Sequence, residues 1–192
     1  MTNQAKVLGA GDVRRLIAHA RRRRHGQRNV VIVLLSVKAG LRAGEIAGLD
    51  WCMLLRADGE IGNPIAISGA IAKNGRSRRV PLHQELASAL KRLWRQQGYS
   101  ADGPVVRSER GGHMRAGAVV NWFSAAYAEL GLEGCSSHSG RRTFITRAAR
   151  LLPRAGGSLR DVQLLAGHAS LVTTQGYIDG DSDAQRRLVR LI

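Results

Sequence analysis

Apolar residues recur at helical spacing along most of this chain. The first such pattern starts behind Asp12, a predicted N-cap, and continues at Val13, Leu16, Ile17 and Ala20. A longer apolar segment over residues 29–39 predicts a buried helix, with Gly40 as its C-terminal stop. Further helices are predicted at about 84–97, 117–130 and 140–151.

The pattern changes over residues 51–82, where short segments of strand character replace the helical spacing. Ile65–Ser68 and Arg79–Leu82 predict two strands, and Asn74-Gly75 between them is a strong hairpin-turn signal. These segments predict one small antiparallel sheet within a mostly helical domain.

Two helix starts are predicted in the last third of the chain. Ser158 and Asp161 have the spacing of a capping box and predict a helix that ends near Gly167. Ser170 is predicted to cap the helical turn that carries Tyr177.

The charge of the chain narrows its possible partners. Thirty Lys and Arg stand against 14 Asp and Glu, which gives a net charge of +16 and a pI near 11.5. Such an excess attracts polyanions, and nucleic acid is the leading candidate. The alternative is an unrelated basic protein from a GC-rich genome, in which codon usage favours arginine. The basic run Arg21–Arg24 fits either a solvated helix end or a contact with DNA phosphates.

Several protein classes are excluded by what the sequence lacks. The start of the chain has no apolar segment typical of a secretory signal, and no apolar run reaches membrane-spanning length. Two cysteines make no disulfide framework, and the C-x-x-H spacing of Cys135 and His138 has no second pair to complete a zinc site. A soluble cytoplasmic protein with no membrane partner is therefore predicted.

A set of side chains in the sequence could cleave a phosphodiester without a metal. A tyrosine is a nucleophile once a cationic, hydrogen-bonding site offsets its pKa of about 10. Arginines can clamp phosphate oxygens, a histidine can exchange a proton near neutral pH, and a lysine on a hairpin can protonate a leaving oxygen. The candidate catalytic residues are Arg42, Lys73, His138, Arg141, His168 and Tyr177.

The order and spacing of these residues resemble those of the tyrosine recombinases, the phage-integrase family. The matching motifs are G-L-R-x-x-E at 40–45, a lysine before a hairpin turn followed by R-V-P-L, H-x-x-R at 138–141, G-H at 167–168, and Tyr177 nine positions after His168. The resemblance covers roughly residues 8–180. Fixed spacing places these groups on defined faces, so several matches together carry more weight than any one of them.

The resemblance implies a role for each matching position. Arg42 and Arg141 match the catalytic arginines, Lys73 the hairpin lysine, His138 the first histidine of the second box, and His168 a position that is His or Trp in relatives. Tyr177 matches the nucleophile. Glu45 matches an acidic position that supports the site by orienting an arginine, although a first-turn glutamate is also favoured by the helix dipole alone.

The chain departs from the family pattern at two positions and in its length. Arg142 stands where many relatives carry His, and Ala166 where Leu is usual. Most relatives carry an N-terminal helical domain that clamps the far face of the DNA. The sequence is expected to be one catalytic domain over residues 1–192, with no separate N-terminal core-binding domain.

The resemblance implies a single α+β domain, mainly helical, with a small three-stranded antiparallel sheet whose hairpin carries Lys73. It implies site-specific recombination of double-stranded DNA through a covalent 3′-phosphotyrosyl intermediate, with no metal, cofactor or ATP. It further implies a homotetramer on synapsed DNA that is weakly associated or monomeric without DNA. Two alternatives are a type IB topoisomerase, which needs no specific site, and a catalytically idle DNA-binding protein.

Overall fold

A computed structural model describes residues 5–73, 75–177, 189, 190 and 192. A 3-10 turn lies at Trp51–Met53. The regular elements in this part of the chain are α1 (Ala10–Arg22), α2 (Gly26–Ala39), α3 (Ala43–Ala47), β1 (Ile65–Ile67), β2 (Arg78–Val80), α4 (Gln84–Gln96), α5 (Ala116–Glu129), α6 (Ser139–Ala155), α7 (Leu159–Ala166) and α8 (Leu171–Gln175). The mainly helical architecture predicted from the sequence is confirmed.

Helix α2 is the centre of the main hydrophobic core. All residues from Asn29 to Val37 are buried, so the helix is covered on every side, as its continuous apolar sequence predicts. It packs against α1, α4 and α6. The helix ends at Gly40, whose φ of 65° lies in the left-handed region that glycine adopts without strain.

The prediction that Asp12 caps α1 is wrong. The N-cap is Gly9, and Asp12 lies at the third position of the helix. From there its carboxylate accepts a hydrogen bond from the Gly9 backbone N–H at 3.0 Å. Asp12 therefore satisfies the start of the helix from inside it.

The small sheet has two strands in the described part of the chain, not the three that were predicted. β1 and β2 are antiparallel, with Ile65 opposite Val80 and Ile67 opposite Arg78. The segment before β1 contributes isolated bridges, between Asp50 and Pro104 and between Leu55 and Ile61.

Long-range contacts of Trp51 explain why that segment is not a third strand. Its backbone N–H donates to the Gly103 carbonyl at 3.0 Å, and its indole N–H donates to Gln97 Oε1 at 2.9 Å. The Trp51 side chain is fully buried. The segment is thus tied to the end of α4 and to the following loop, and the N–H groups of Leu54 and Leu55 donate to the Trp51 carbonyl within the turn.

A second, smaller cluster lies between the last three helices. Ile145 on α6 packs with Val162 and Ala166 on α7, and the partly buried ring of Tyr177 closes the cluster. The predicted caps of these helices are confirmed, because Ser158 N–H donates to Asp161 at 2.7 Å and Ser170 Oγ accepts from Val172 N–H at 3.2 Å. Within the described residues, no helix has the length and apolarity needed to cross a membrane.

Replacement of Gly40 by alanine is expected to lower the unfolding free energy by at least about 2 kcal/mol. The added Cβ would clash with the Phe144 ring and would also hold an L-residue at positive φ. Urea unfolding followed by circular dichroism measures the loss. The matched control is Gly44→Ala, where a Cβ meets no atom within 4 Å. Equal stability of the two variants would contradict the expectation.

Candidate active site

Arg141 lies at the centre of the candidate site, in the first turn of α6. Its side chain is almost fully buried, and its guanidinium donates to the Gly40 carbonyl at 2.5 Å and to the Ala166 carbonyl at 2.6 Å. These two carbonyls lie at the C-terminal ends of α2 and α7, where the helix dipole places partial negative charge. Arg141 therefore joins three helices and is fixed in position by two of them.

Close packing of α6 on α2 makes this position possible. Gly140 faces Ser36, and a Cβ at Gly140 would collide with the serine side chain. The absence of a side chain lets the start of α6 approach the end of α2. This approach carries Arg141 to the Gly40 carbonyl.

The surroundings of Arg141 lower the pKa of its guanidinium. Burial is the largest cause that lowers its pKa, to about 10, and the neighbouring cation Arg42 lowers it further. The negative charge of Glu45 and the phenol of Tyr177 act in the opposite direction. Arg141 therefore remains a cation at neutral pH.

Glu45 is a buried carboxylate, only 1% exposed, that binds two arginines. Arg78 on β2 donates to both of its oxygens, at 2.7 and 2.8 Å. Arg42 donates its backbone N–H at 2.8 Å and one guanidinium N–H at 3.3 Å. Burial raises the pKa of Glu45, but the hydrogen bonds and charges of Arg78 and Arg42 outweigh burial and bring the pKa below its usual value. The carboxylate is therefore ionised, and its tighter partner is Arg78.

Arg78 was not among the site residues predicted from the sequence. Its side chain is 7% exposed, and its Nε also donates to the Leu165 carbonyl on α7 at 3.1 Å. The residue thus ties the hairpin to α3 and to α7. A signal was present in the sequence, since Arg78 lies in the strand beside the R-V-P-L motif, but an arginine in a basic segment is by default assigned to the surface.

His168 directly follows α7 and its C-cap, Gly167, and is buried. Its Nδ1 lies 2.9 Å from the hydroxyl of Thr174. Burial, followed by the charges of Arg141, Arg42 and Arg78, lowers the pKa of His168 to about 4. The ring is therefore neutral at neutral pH.

Tyr177 lies two residues beyond α8, and its ring contacts the side chains of His168 and Arg142. The ring stacks on His168 with centroids 5.3 Å apart and an interplanar angle of 24°. The guanidinium carbon of Arg142 lies 5.6 Å from the ring centroid on a cation–π contact. The Tyr177 carbonyl accepts a hydrogen bond from Thr146 on α6 at 3.4 Å. Arg142, the departure from the family pattern, is thus a contact of the candidate nucleophile.

His138 and Lys73 complete the group. His138 is the N-cap residue of α6, and burial lowers its pKa, with further lowering by the charges of Arg141, Arg42 and Lys73. Lys73 is exposed on the connection between β1 and β2. Asn74 of the predicted turn lies outside the described residues. The structure therefore brings all six candidate residues and Glu45 into one region, with Lys73 at its exposed edge.

An open cavity of about 420 Å³ adjoins this group. His138, Arg142 and Tyr177 line it together with Ser136. The cations Arg42, Arg78 and Arg141 and the carboxylate of Glu45 together carry a net charge of +2 when His138 and His168 are neutral. The arrangement is suited to an anion that is held next to the Tyr177 ring.

Lowering the pH from about 6.5 to about 4 is expected to destabilise the protein through His168. The unfolded chain takes up the proton near the ordinary pKa of 6.5, whereas the folded chain resists it until about 4. The unfolded state then binds more protons, so the unfolding free energy falls by up to about 1.4 kcal/mol per pH unit. Urea unfolding across this window measures the slope. His168→Asn should show a shallower slope than the wild type, and equal slopes would refute the assignment.

The fold and the cluster of arginines, histidines and tyrosine define a class of protein, the integrase-type recombinase domains. A family model described as the phage integrase family matches residues 6–183. The chain belongs to this family.

Curated relatives support the same assignment. The chain is 34% identical over 185 residues to tyrosine recombinase XerC of Brucella suis biovar 1 (strain 1330), which covers 92% of this chain and 55% of the relative. It is 30% identical over 158 residues to tyrosine recombinase XerC of Rhizobium meliloti (strain 1021), with 81% and 46% covered. The chain thus spans about half the length of these relatives.

Solved structures share the fold at low sequence identity. A XerA recombinase crystal structure superposes with a TM-score of 0.72 at 24% identity, over 96% of this chain and 64% of that one. The integrase of transposon Tn1549, in complex with transposon right end DNA, superposes with a TM-score of 0.74 at 17% identity, over 100% of this chain and 67% of that one. The mainly helical architecture with its small sheet is therefore that of recombinase structures.

Proposed function

We propose that this protein is a site-specific DNA recombinase that cuts and rejoins double-stranded DNA through a covalent 3′-phosphotyrosyl intermediate. The observation that carries the proposal is the position of Tyr177, whose ring stacks on His168 and lies against Arg142, the residue that follows the buried Arg141. A tyrosine near arginines that are charged at neutral pH is suited to attack a phosphodiester that the arginines hold.

The arginines supply the binding and stabilisation of the phosphate. Arg141 uses NH1 and NH2 for the Gly40 and Ala166 carbonyls and lies at the centre of positive charge. Arg42 gives Glu45 one guanidinium contact, at 3.3 Å, and among the described residues its other guanidinium N–H groups have no hydrogen-bond partner, which leaves them for phosphate oxygens. Both charges are present before the reaction starts, which stabilises the extra negative charge of the transition state.

The proposed cleavage step exchanges one phosphoester for another. The Tyr177 oxygen attacks phosphorus and forms a new P–O bond, while the bond from phosphorus to the 5′ oxygen breaks and the electron pair leaves with that oxygen. His138 accepts the phenol proton, which its lowered pKa allows because the ring is neutral at neutral pH. Lys73 donates a proton to the 5′ oxygen. Attack by the 5′ hydroxyl of another strand reverses the step and rejoins the DNA without ATP.

Trapping the covalent intermediate tests this proposal. The protein is incubated with fragments of its own genomic neighbourhood that carry nicks, and the DNA ends bound after denaturation are sequenced. A recombinase gives 3′-linked ends at one specific site. Relaxation of any supercoiled plasmid would indicate a topoisomerase instead, and the absence of any covalent adduct would indicate an idle DNA-binding protein.

Removal of Lys73 gives a more specific expectation. Lys73→Ala should slow cleavage by about 10²- to 10⁴-fold, the usual contribution of a general acid. A substrate with sulfur in place of the bridging 5′ oxygen should restore the rate, because a thiolate leaves without a proton. Single-turnover rates on both substrates measure the rescue. Arg141→Ala is the control that sulfur should not rescue, and rescue of that variant but not of Lys73→Ala would overturn the assignment.

We also propose that the active assembly is a homotetramer on two DNA duplexes, with weakly associated or monomeric protein in the absence of DNA. The short apolar cluster at the end of segment 181–192 predicts that this segment docks on a neighbouring protomer, with docking within the same chain as the alternative. Most of the segment lies outside the described residues. Val189 and Ile192, which are described, are exposed, and Val172 on α8 offers exposed apolar surface near Tyr177. These features support exchange of the segment between subunits.

A single domain over residues 1–192 and a cytoplasmic location remain predictions.

A further inference from the structure

The hydroxyl of Thr174 is the only described hydrogen-bond partner of the His168 ring. Both residues are buried, with exposures of 8% for His168 and 0% for Thr174. The backbone around them is fixed as well, since Gln163 Nε2 donates to the His168 carbonyl at 3.1 Å and the Tyr177 N–H donates to the Thr174 carbonyl at 3.1 Å. The ring and the hydroxyl therefore meet in a defined geometry.

The direction of this hydrogen bond determines what the other ring nitrogen offers. A neutral imidazole has one N–H and one lone pair, and a hydroxyl can donate or accept. If Thr174 donates to Nδ1, the proton is on Nε2, which then donates. If Nδ1 donates to Thr174, Nε2 presents a lone pair.

Only one of these two tautomers suits an anion. Burial, followed by the charges of Arg141, Arg42 and Arg78, lowers the pKa of the ring and keeps it uncharged at neutral pH, so it does not attract an anion as an imidazolium would. A phosphate oxygen accepts hydrogen bonds and does not donate them. The ring can therefore contribute to a phosphate site only as an Nε2–H donor.

We propose that Thr174 is a positioning residue that donates its hydroxyl proton to Nδ1 and so holds His168 as an Nε2–H donor to the scissile phosphate. This inference rests on the proposed recombinase function. It assigns Thr174 a role through His168 and not through contact with the DNA. A similar use of a partner group to fix a histidine tautomer is common around metal-bound histidines.

Two substitutions distinguish the effect of the Thr174 hydroxyl from the effect of the side chain's shape. Thr174→Val keeps the shape and removes the hydroxyl, whereas Thr174→Ser keeps the hydroxyl and removes a methyl group. In single-turnover cleavage of a nicked substrate, the rate of Thr174→Val should fall by about 10- to 100-fold, the range typical when the hydrogen-bond partner of a metal-bound histidine is lost. Thr174→Ser should stay close to wild type. Loss in both variants, or in neither, would overturn the proposal.

Nitrogen-15 NMR of the histidine rings reads the tautomer directly and needs no DNA. The His168 signals are assigned by their absence in His168→Asn. The wild type and Thr174→Ser should show the Nε2–H form, and Thr174→Val should show a mixture or the Nδ1–H form. An Nδ1–H tautomer in the wild type would refute the inference.

A double substitution tests whether Thr174 acts through His168. In the His168→Asn background, Thr174→Val should cause no further loss of cleavage, because its partner is already gone. A full additional loss would show a separate structural role. If the wild type itself forms no covalent adduct, the recombinase proposal fails, while the NMR result still decides the tautomer. If the wild type cleaves and Thr174→Val cleaves equally well, only the inference about Thr174 fails.

Discussion

Tyr177→Phe is expected to abolish DNA cleavage while leaving DNA binding nearly intact. The substitution removes the attacking oxygen, and loss of a covalent nucleophile costs on the order of 10⁶ in rate. The ring itself remains, so its stacking on His168 and its contact with Arg142 are preserved. The variant should therefore fold and bind DNA like the wild type. A nicked substrate on a denaturing gel measures cleavage, and fluorescence anisotropy measures binding.

The other two tyrosines of the chain are matched controls for this experiment. Tyr99 is 56% exposed and packs edge-on against Trp94. Tyr127 is buried, and its hydroxyl has no hydrogen-bond partner among the described residues. Phenylalanine at either position should leave cleavage unchanged. A covalent adduct that persists in Tyr177→Phe and disappears in one of the controls would identify a different nucleophile.

Arg78→Met is expected to lower the unfolding free energy by about 3 kcal/mol and to impair cleavage. Removal of one partner from a buried ion pair typically costs about 3–5 kcal/mol, because the remaining charge is left without compensation. Here Glu45 keeps Arg42 as a partner, so the lower end of this range applies. The freed carboxylate should draw the Arg42 guanidinium away from the phosphate. Urea unfolding and single-turnover cleavage measure the two effects.

Arg79→Met is the control for Arg78→Met. It removes the same charge from the adjacent position of β2, where the side chain is exposed. Its effect on stability should stay within about 0.5 kcal/mol. Arg78→Lys should fall between the two, since an ammonium keeps the charge but cannot bind both oxygens of Glu45 in the same way. Equal unfolding free energies of Arg78→Met and Arg79→Met would show that the ion pair with Glu45 does not stabilise the fold.

Local patterns in the sequence determined the helices and the identity of the candidate site residues. Helix α2 could be predicted because its apolar run and the stop at Gly40 act within one segment of chain. The capping box at Ser158 and the cap at Ser170 likewise depend on residues two or three positions apart. The motifs around Arg42, His138 and Tyr177 indicated the family, and the catalytic roles remain proposals.

Only the tertiary structure decided which polar groups are buried together. Arg78 meets Glu45 across 33 positions and Leu165 across 87, and Arg141 meets the Gly40 carbonyl across 101. No local pattern encodes such contacts, and arginine is usually assigned to the surface. The segment before β1 is likewise held by distant partners, because Trp51 donates hydrogen bonds to Gln97 and Gly103. Burial strengthens each of these polar contacts and makes unpaired groups costly, so packing and not sequence spacing selects the partners.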